Sequence, residues 1–285
     1  MSKANVYEIV TEKIVAQLEA GTVPWRKPWR TTAPMSMSSR KPYRGINVFL
    51  LMGDGSEGSN WWGTYKQIEK MGGQVRQGEK SSLATFWKML DGEDDNGNPK
   101  KVPLLRYFRV FSANQVDWTD GMPEAFRLST GANDPIADAE AVVDNWKATG
   151  EAPAFSANPS DRACYFPKLD MIEMPHRDAF ESSELFYSTL FHEMTHSTGH
   201  ASRLARPGVV DFDGFGSHTY GDEELVAEMG AAMLCGHVGI ETTFGSSAAY
   251  IASWLNAIGE DPKLLVGAAG RAQKAADLIL GVTFD

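Results

Sequence analysis

Apolar positions along the chain fall into two rhythms, one near 3.6 residues and one of two. Val6, Ile9, Val10, Ile14, Val15 and Leu18 recur at helical spacing and predict an amphipathic helix over 6–19, stopped by Gly21. Residues 83–87 and 104–111 alternate or run apolar on either side of an acidic loop, Asp91 to Pro99, and predict a pair of antiparallel strands after a Gly78-Glu79-Lys80 turn. Phe86, Trp87 and Phe108 in those strands read as core. Around residues 120–138 the chain turns to Gly, Pro, Asn, Asp and Thr, which places a linker at 129–136. Beyond it a helix is predicted over 137–149 and a two-stranded hairpin over 160–166 and 169–175. Helices follow at 183–198, 222–237, 248–255 and 262–280. The result is an α+β chain of two domains: a small antiparallel-sheet and helix domain at 1–128, and a second domain at 137–285.

Charge sharpens that division. The 285 residues carry 27 Lys+Arg and 37 Asp+Glu, a net −10, but residues 1–130 hold 18 basic and 14 acidic side chains while the remainder holds 9 and 23. A basic half beside an acidic half points to two tasks and an acidic partner for the first. No apolar run approaches a membrane span, and Met1 to Asn5 shows no leader. Two cysteines, Cys164 and Cys235, give no disulfide framework, so a cytoplasmic setting is expected.

The basic half interleaves aromatic rings with cations. Trp25, Arg26, Lys27 and Trp29 lie among prolines that forbid helix; Arg40, Lys41, Tyr43, Arg44 and Asn47 repeat the mixture; Trp62, Tyr65 and Lys66 repeat it again, and Lys80 follows in the turn. Rings that stack on bases and cations that meet phosphates make a single-strand platform that needs no sequence readout. A plain core is the alternative for each ring and a solvated face for each cation, so the clustering carries the reading. The partner expected is single-stranded DNA.

The second domain carries H-E-x-x-H at His192-Glu193-Met194-Thr195-His196 within a predicted helix. Residues four apart share a helix face, so both imidazoles can reach one metal ion, with Glu193 beside them as general base toward a water. His200 follows Gly199 too closely for the extended zincin spacing. The next helix offers Glu224 as a third ligand, completing a two-His, one-Glu set open at its fourth position. Glu228, one turn on, is expected to accept the free N–H of a ligand histidine. The alternative for Glu223, Glu224 and Glu228 is a solvated acidic face at a helix start. Tyr220 or His218, in the preceding loop, could donate to an oxyanion. The strand over 170–174 could present an open edge to an extended peptide. Zn2+ is the expected ion, with another divalent metal also compatible with the ligands.

Taken together, Pro24-Trp25, Pro28-Trp29, Pro42 to Asn47, Trp62 to Gln67, Gly78-Glu79-Lys80, His192 to His200, Glu223 to Glu228 and Ala272 to Asp277 resemble the ArdC/TraC family of plasmid and phage anti-restriction proteins. The resemblance spans nearly the whole chain. It implies an N-terminal single-stranded-DNA-binding domain and a C-terminal zincin-like metallopeptidase domain. It implies expression from a mobile element, protection of incoming DNA from host restriction, and a protein that could accompany transferred DNA into a recipient cell. The protein partner implied is a substrate or a restriction-system component. The rival reading is a non-catalytic protein that coats single-stranded DNA and carries a structural or vestigial metal domain.

Overall fold

The computed structural model describes residues 5–20, 23–26, 34–52, 59–93, 99–127, 135–158, 162–211, 218–240, 254–255, 258 and 261–283. Packing divides the chain into two units: Met1–Val10 with Pro34–Ser129, and Thr11–Ala33 with Thr130–Asp285. The break after Ser129 falls at the head of the expected linker, but residues 11–33 group with the second unit. Helix α1 (Val6–Glu19) has the expected bounds and buries Val10, Ile14 and Leu18.

The first unit continues with β1 (Met35–Ser36), α2 (Ile46–Met52), β2 (Trp61–Gly63), α3 (Tyr65–Lys70), β3 (Gly73–Val75), β4 (Ser82–Glu93), β5 (Pro99–Ser112) and β6 (Val116–Trp118). Four strands form a sheet in the order β1-β2-β5-β4, and β3 pairs with β6. A reciprocal capping box starts α3: the Gln67 N–H donates to the Thr64 hydroxyl and the Thr64 N–H to the Gln67 side chain. Strands β4 and β5 form one long antiparallel ribbon, in register from Ser82 opposite Val110 to Glu93 opposite Pro99. Its base is covered: Ala84 and Val110 pack with Leu51 and Trp62. Because β4 is a sheet edge, Thr85 has main-chain groups to satisfy. The Asn47 amide closes them, donating to the Thr85 carbonyl at 2.9 Å and accepting its N–H at 2.6 Å.

The second unit holds α4 (Pro135–Ala148), β7 (Ala154–Asn158), β8 (Cys164–Phe166), β9 (Met171–Pro175), α5 (Ser183–Ser197), α6 (Pro207–Val210), α7 (His218–Val238) and α8 (Leu264–Leu280). Trp146, Tyr187, Phe191, Met194, Leu234 and Ala276 belong to its core. The Ser182 hydroxyl caps α5 by accepting the Leu185 N–H. Small residues bring α5 and α7 together: a Cβ on Gly230 would stand 2.5 Å from Thr195 Cγ2. Gly199 follows the end of α5 and permits a close approach. A Cβ there would stand 2.5 Å from Val209 Cγ2, so its absence lets the chain after α5 fold back on the helix end. Sheet order is β7-β9-β8, which corrects the edge-strand expectation. The strand over 170–174 becomes β9, paired on both sides, and β7 and β8 are the edges. No described helix is long and apolar enough to cross a membrane.

Candidate metal centre

One turn of α5 stacks His192 over His196, and their Nε2 atoms lie 3.1 Å apart. Across from them α7 presents Glu224, with Oε1 3.3 Å from His196 Nε2 and Oε2 3.5 Å from His192 Nε2. A tetrahedral ion with bonds of about 2.0–2.1 Å needs donors about 3.3–3.4 Å apart. The three side chains meet that spacing, and among the described residues they are the group able to hold a metal. Burial works against charge on both imidazoles, yet the carboxylates beside them win: His192 is raised by Glu224, and His196 is raised well above its usual value by Glu223 and Glu224. Burial likewise pushes Glu224 upward, and the two histidines override it, leaving the carboxyl far below the usual range. Positive charge is therefore favoured at the point where the three side chains converge.

A second layer holds this one in place. Glu223, next to the ligand Glu224, sets its Oε1 3.2 Å from His196 Nδ1. Glu228 acts on His192 through its charge. Arg206 forks onto Glu223 at 2.8 and 2.6 Å, and also donates to the Thr198 hydroxyl and the Thr195 carbonyl. Both Arg206 and Glu223 are only 4% exposed. Sequence hides this pair because its contact depends on the fold-back at Gly199. The one local signal was an Arg shortly after H-E-x-x-H and a second Glu beside the ligand Glu.

Glu193 is nearly buried, and one of its oxygens accepts the Tyr165 N–H of β8 at 2.7 Å. Tyr165 is fixed in turn: its hydroxyl donates to Asp170, which pairs with Arg203, and Arg203 donates to the Ser197 carbonyl at the end of α5. His192, Glu193, His196 and Glu224 line a cleft of about 490 Å3, walled by β8 residues Cys164 and Phe166. Burial, and after it the Glu193 charge, pushes the Cys164 thiol up. His200 Nδ1 lies 2.8 Å from the Ser202 hydroxyl. The side chains of His218 and Tyr220 lie outside the described residues.

The expected nucleic-acid residues disperse. Two corrections stand out. Trp25 is fully buried, edge-on to Trp254 at 5.4 Å, and Trp62 is 2% exposed in the first unit's core, so neither ring offers a face to a base. Asn47 is engaged at the edge of β4. Tyr43 is half-buried, with burial pushing its hydroxyl up to about 12. Arg40 sets its guanidinium over the Trp61 and Phe126 rings. Arg44 is partly buried; Lys41, Lys66, Lys80 and Tyr65 are exposed, and the Tyr65 hydroxyl accepts from Gln74. The Arg26 side chain, Lys27 and Trp29 lie outside the described residues. Phe86 and Trp87, expected in the core, are 49% and 54% exposed.

Comparison with known proteins agrees with both halves of the fold. Residues 4–111 match the N-terminal domain of anti-restriction factor ArdC, and residues 138–271 match the zincin-like metallopeptidase family. The chain is 36% and 35% identical to two Escherichia coli proteins named DNA primase TraC, over 98% of its own length. It spans only 20% and 27% of theirs. It is 33% identical to the uncharacterized protein y4eC of Sinorhizobium fredii, covering 96% of this chain and 91% of that one. Crystal structures of the antirestriction protein ArdC from the R388 plasmid superpose in a metal-free form (TM-score 0.78, 39% identity, 97% of each chain) and a Mn(II)-bound form (TM-score 0.76, 38% identity, 98% of each chain). With that identity over nearly its full length, the chain belongs to the ArdC antirestriction family.

Proposed function

We propose that this chain is an antirestriction protein of a mobile element, with a metal-dependent peptidase centre in its second unit and a single-stranded-DNA-binding surface in its first. The observation that carries the peptidase reading is the meeting of His192, His196 and Glu224 in one cleft with Glu193. A bound divalent ion would supply Lewis-acid polarisation of a substrate carbonyl and acidify water. Two imidazoles and a carboxylate suit zinc, and the Mn(II)-bound relative supports a divalent ion more broadly. Glu193 takes a proton from the attacking water and returns it to the leaving amine. The Tyr165 N–H fixes one of its oxygens and leaves the other for that proton. An extended substrate would lie along β8, the sheet edge that walls the cleft. That substrate is a protein met on DNA, such as a restriction-system component. The DNA reading is supported by the match to the ArdC N-terminal domain and by the basic excess of residues 1–130.

Glu193→Ala tests the centre. Purified protein should keep its metal by elemental analysis and lose all peptide hydrolysis. Proteolysis that survives the change removes Glu193 from the role of base. If Glu193→Ala still protects DNA from restriction in cells, protection rests on the DNA-binding half and hydrolysis is not needed for it.

A further inference from the structure

The first unit's exposed aromatic surface lies where the sequence pattern expected core. Among the described residues of that unit, the exposed rings are Tyr65, Phe86, Trp87 and Tyr107, and the last three stand on the β4–β5 ribbon. The ribbon's base is anchored by Ala84 and Val110, both fully buried. From Phe86 outward the described β4 residues Trp87, Lys88, Leu90 and Asp91 are all exposed. Residues directly opposite in an antiparallel pair share a face. Thr85 is opposite Tyr107, Trp87 opposite Leu105 and Leu83 opposite Arg109. Trp87 and Tyr107 are therefore diagonal neighbours on one face, with Arg109 two residues beyond Tyr107. Diagonal neighbours stand about 7–8 Å apart, room for one unstacked base on each ring. Arg109 is exposed and donates to the Ser81 hydroxyl at 3.2 Å, which aims its guanidinium along the same face. The opposite face is occupied at its base by the packed core and leaves a single ring, Phe86, in the open. Farther out on this face Lys101 pairs with Asp91, which leaves Arg109 as its cation beside the rings, while the exposed Lys88, Lys100 and Arg106 alternate onto the Phe86 face.

We infer that single-stranded DNA crosses the β4–β5 ribbon on the face of Trp87, Tyr107 and Arg109, with bases on the two rings and a phosphate at the guanidinium. This rests on the DNA-binding reading above and replaces the buried Trp25 and Trp62 as its platform. Stacked rings flanked by a cation favour a single strand over a duplex, whose bases are already stacked on each other. A purely apolar protein partner would leave the Arg109 guanidinium at the edge of its contact unmatched.

Full-length protein is titrated into a fluorescently labelled oligothymidylate, and into a duplex of equal length, with anisotropy as the readout. Trp87→Ala or Tyr107→Ala should weaken single-strand binding about tenfold each, and the pair about a hundredfold, with an unchanged melting temperature. Trp87→Phe should restore most of the loss. Arg109→Gln should weaken binding and flatten its dependence on salt by about one phosphate contact. If the parent binds the oligonucleotide and the ribbon variants bind it equally well, the placement is wrong while the DNA-binding reading survives. If Tyr65→Ala costs the affinity instead, the strand lies across α3. If the parent binds no single strand at low salt, both readings fail. Ribbon variants that stop self-association of the chain without touching DNA binding would make the ribbon an interface between copies.

Discussion

The metal centre and the ribbon solve opposite problems. At the centre, His196 and Glu193 are held from behind: Arg206 fixes Glu223, Glu223 fixes His196, and Arg203 through Asp170 fixes the strand that grips Glu193. On the ribbon, Trp87 and Tyr107 are about half exposed, and the cation beside them sits in water. An ion tolerates donor errors of a few tenths of an ångström at most, so its site is built dry and rigid. A strand of arbitrary sequence needs surface that accepts any base, so its site is left open. Buried charge pairs and unburied rings are thus each costly to stability, and each marks a function.

Removing the ion breaks the comparison most sharply. Adding Zn2+ or Mn2+ to metal-stripped protein at about ten thousand times the dissociation constant should stabilise it by about 5.5 kcal/mol. The melting temperature of the parent should rise, and that of Glu224→Ala should stay fixed. Because the ribbon contributes no ligand, oligonucleotide affinity should be the same before and after chelation. Affinity that tracks the metal would mean the two sites are coupled.

The next largest effect is expected at Arg206. Arg206→Met leaves the Glu223 carboxylate buried without its partner, which costs about 3–5 kcal/mol. The melting temperature should fall by roughly 10 °C, and metal affinity should weaken as His196 loses its orientation. A double change, Arg206→Met with Glu223→Leu, should recover most of the stability and none of the metal affinity. Recovery of both would mean the pair serves packing alone.

What the sequence made legible follows the same divide. His192 and His196 are four residues apart on a helix, so backbone geometry alone puts them on one face. Glu224 could be singled out because two imidazoles on α5 leave a zinc site short of a ligand and the next helix offers a carboxylate with a second, Glu228, one turn on. The Arg206–Glu223 contact was hidden, because it needs the chain after α5 to fold back on a glycine with no room for a Cβ. Exposure of rings was the least readable property. Trp25 has cations and prolines around it in sequence, yet Trp254, more than two hundred residues away, buries it. Trp87 sits in a strand pattern that reads as core, but the ribbon outruns the elements that cover its base. Local composition says which residues could stack; only tertiary neighbours say which ones are open.

A smaller effect is expected where α5 meets α7. Gly230→Ala would drive a methyl group to 2.5 Å from Thr195 Cγ2. Thr195 is fully buried, and its hydroxyl already donates to the Phe191 carbonyl, so it has little freedom to yield. Overpacking of this kind costs about 1–3 kcal/mol. The shift should pry Glu224 from the two histidines, so metal affinity falls along with the melting temperature. Stability lost with metal affinity intact would show that the helices separate away from the ligands.

The smallest effect is a dependence on acid through Asp170. Burial pulls the Asp170 carboxyl upward, but the Arg203 and Tyr165 hydrogen bonds override it and hold the group below its ordinary 3.8. A carboxyl depressed in the folded protein contributes stability that is fully present above its unfolded value and is lost as pH falls through the folded one. Asp170→Asn keeps the shape and removes the charge. The parent should therefore melt at a higher temperature than the variant at neutral pH, and the gap should stay constant down to about pH 4. Below that it should close as the folded carboxyl takes up its proton. Because Asp170 anchors Tyr165, and Tyr165 grips Glu193, the variant at neutral pH should also lose peptide hydrolysis while binding metal normally. A variant that hydrolyses at the parental rate would confine the Arg203–Asp170 pair to holding the hairpin, and would leave the orientation of Glu193 to β8 alone.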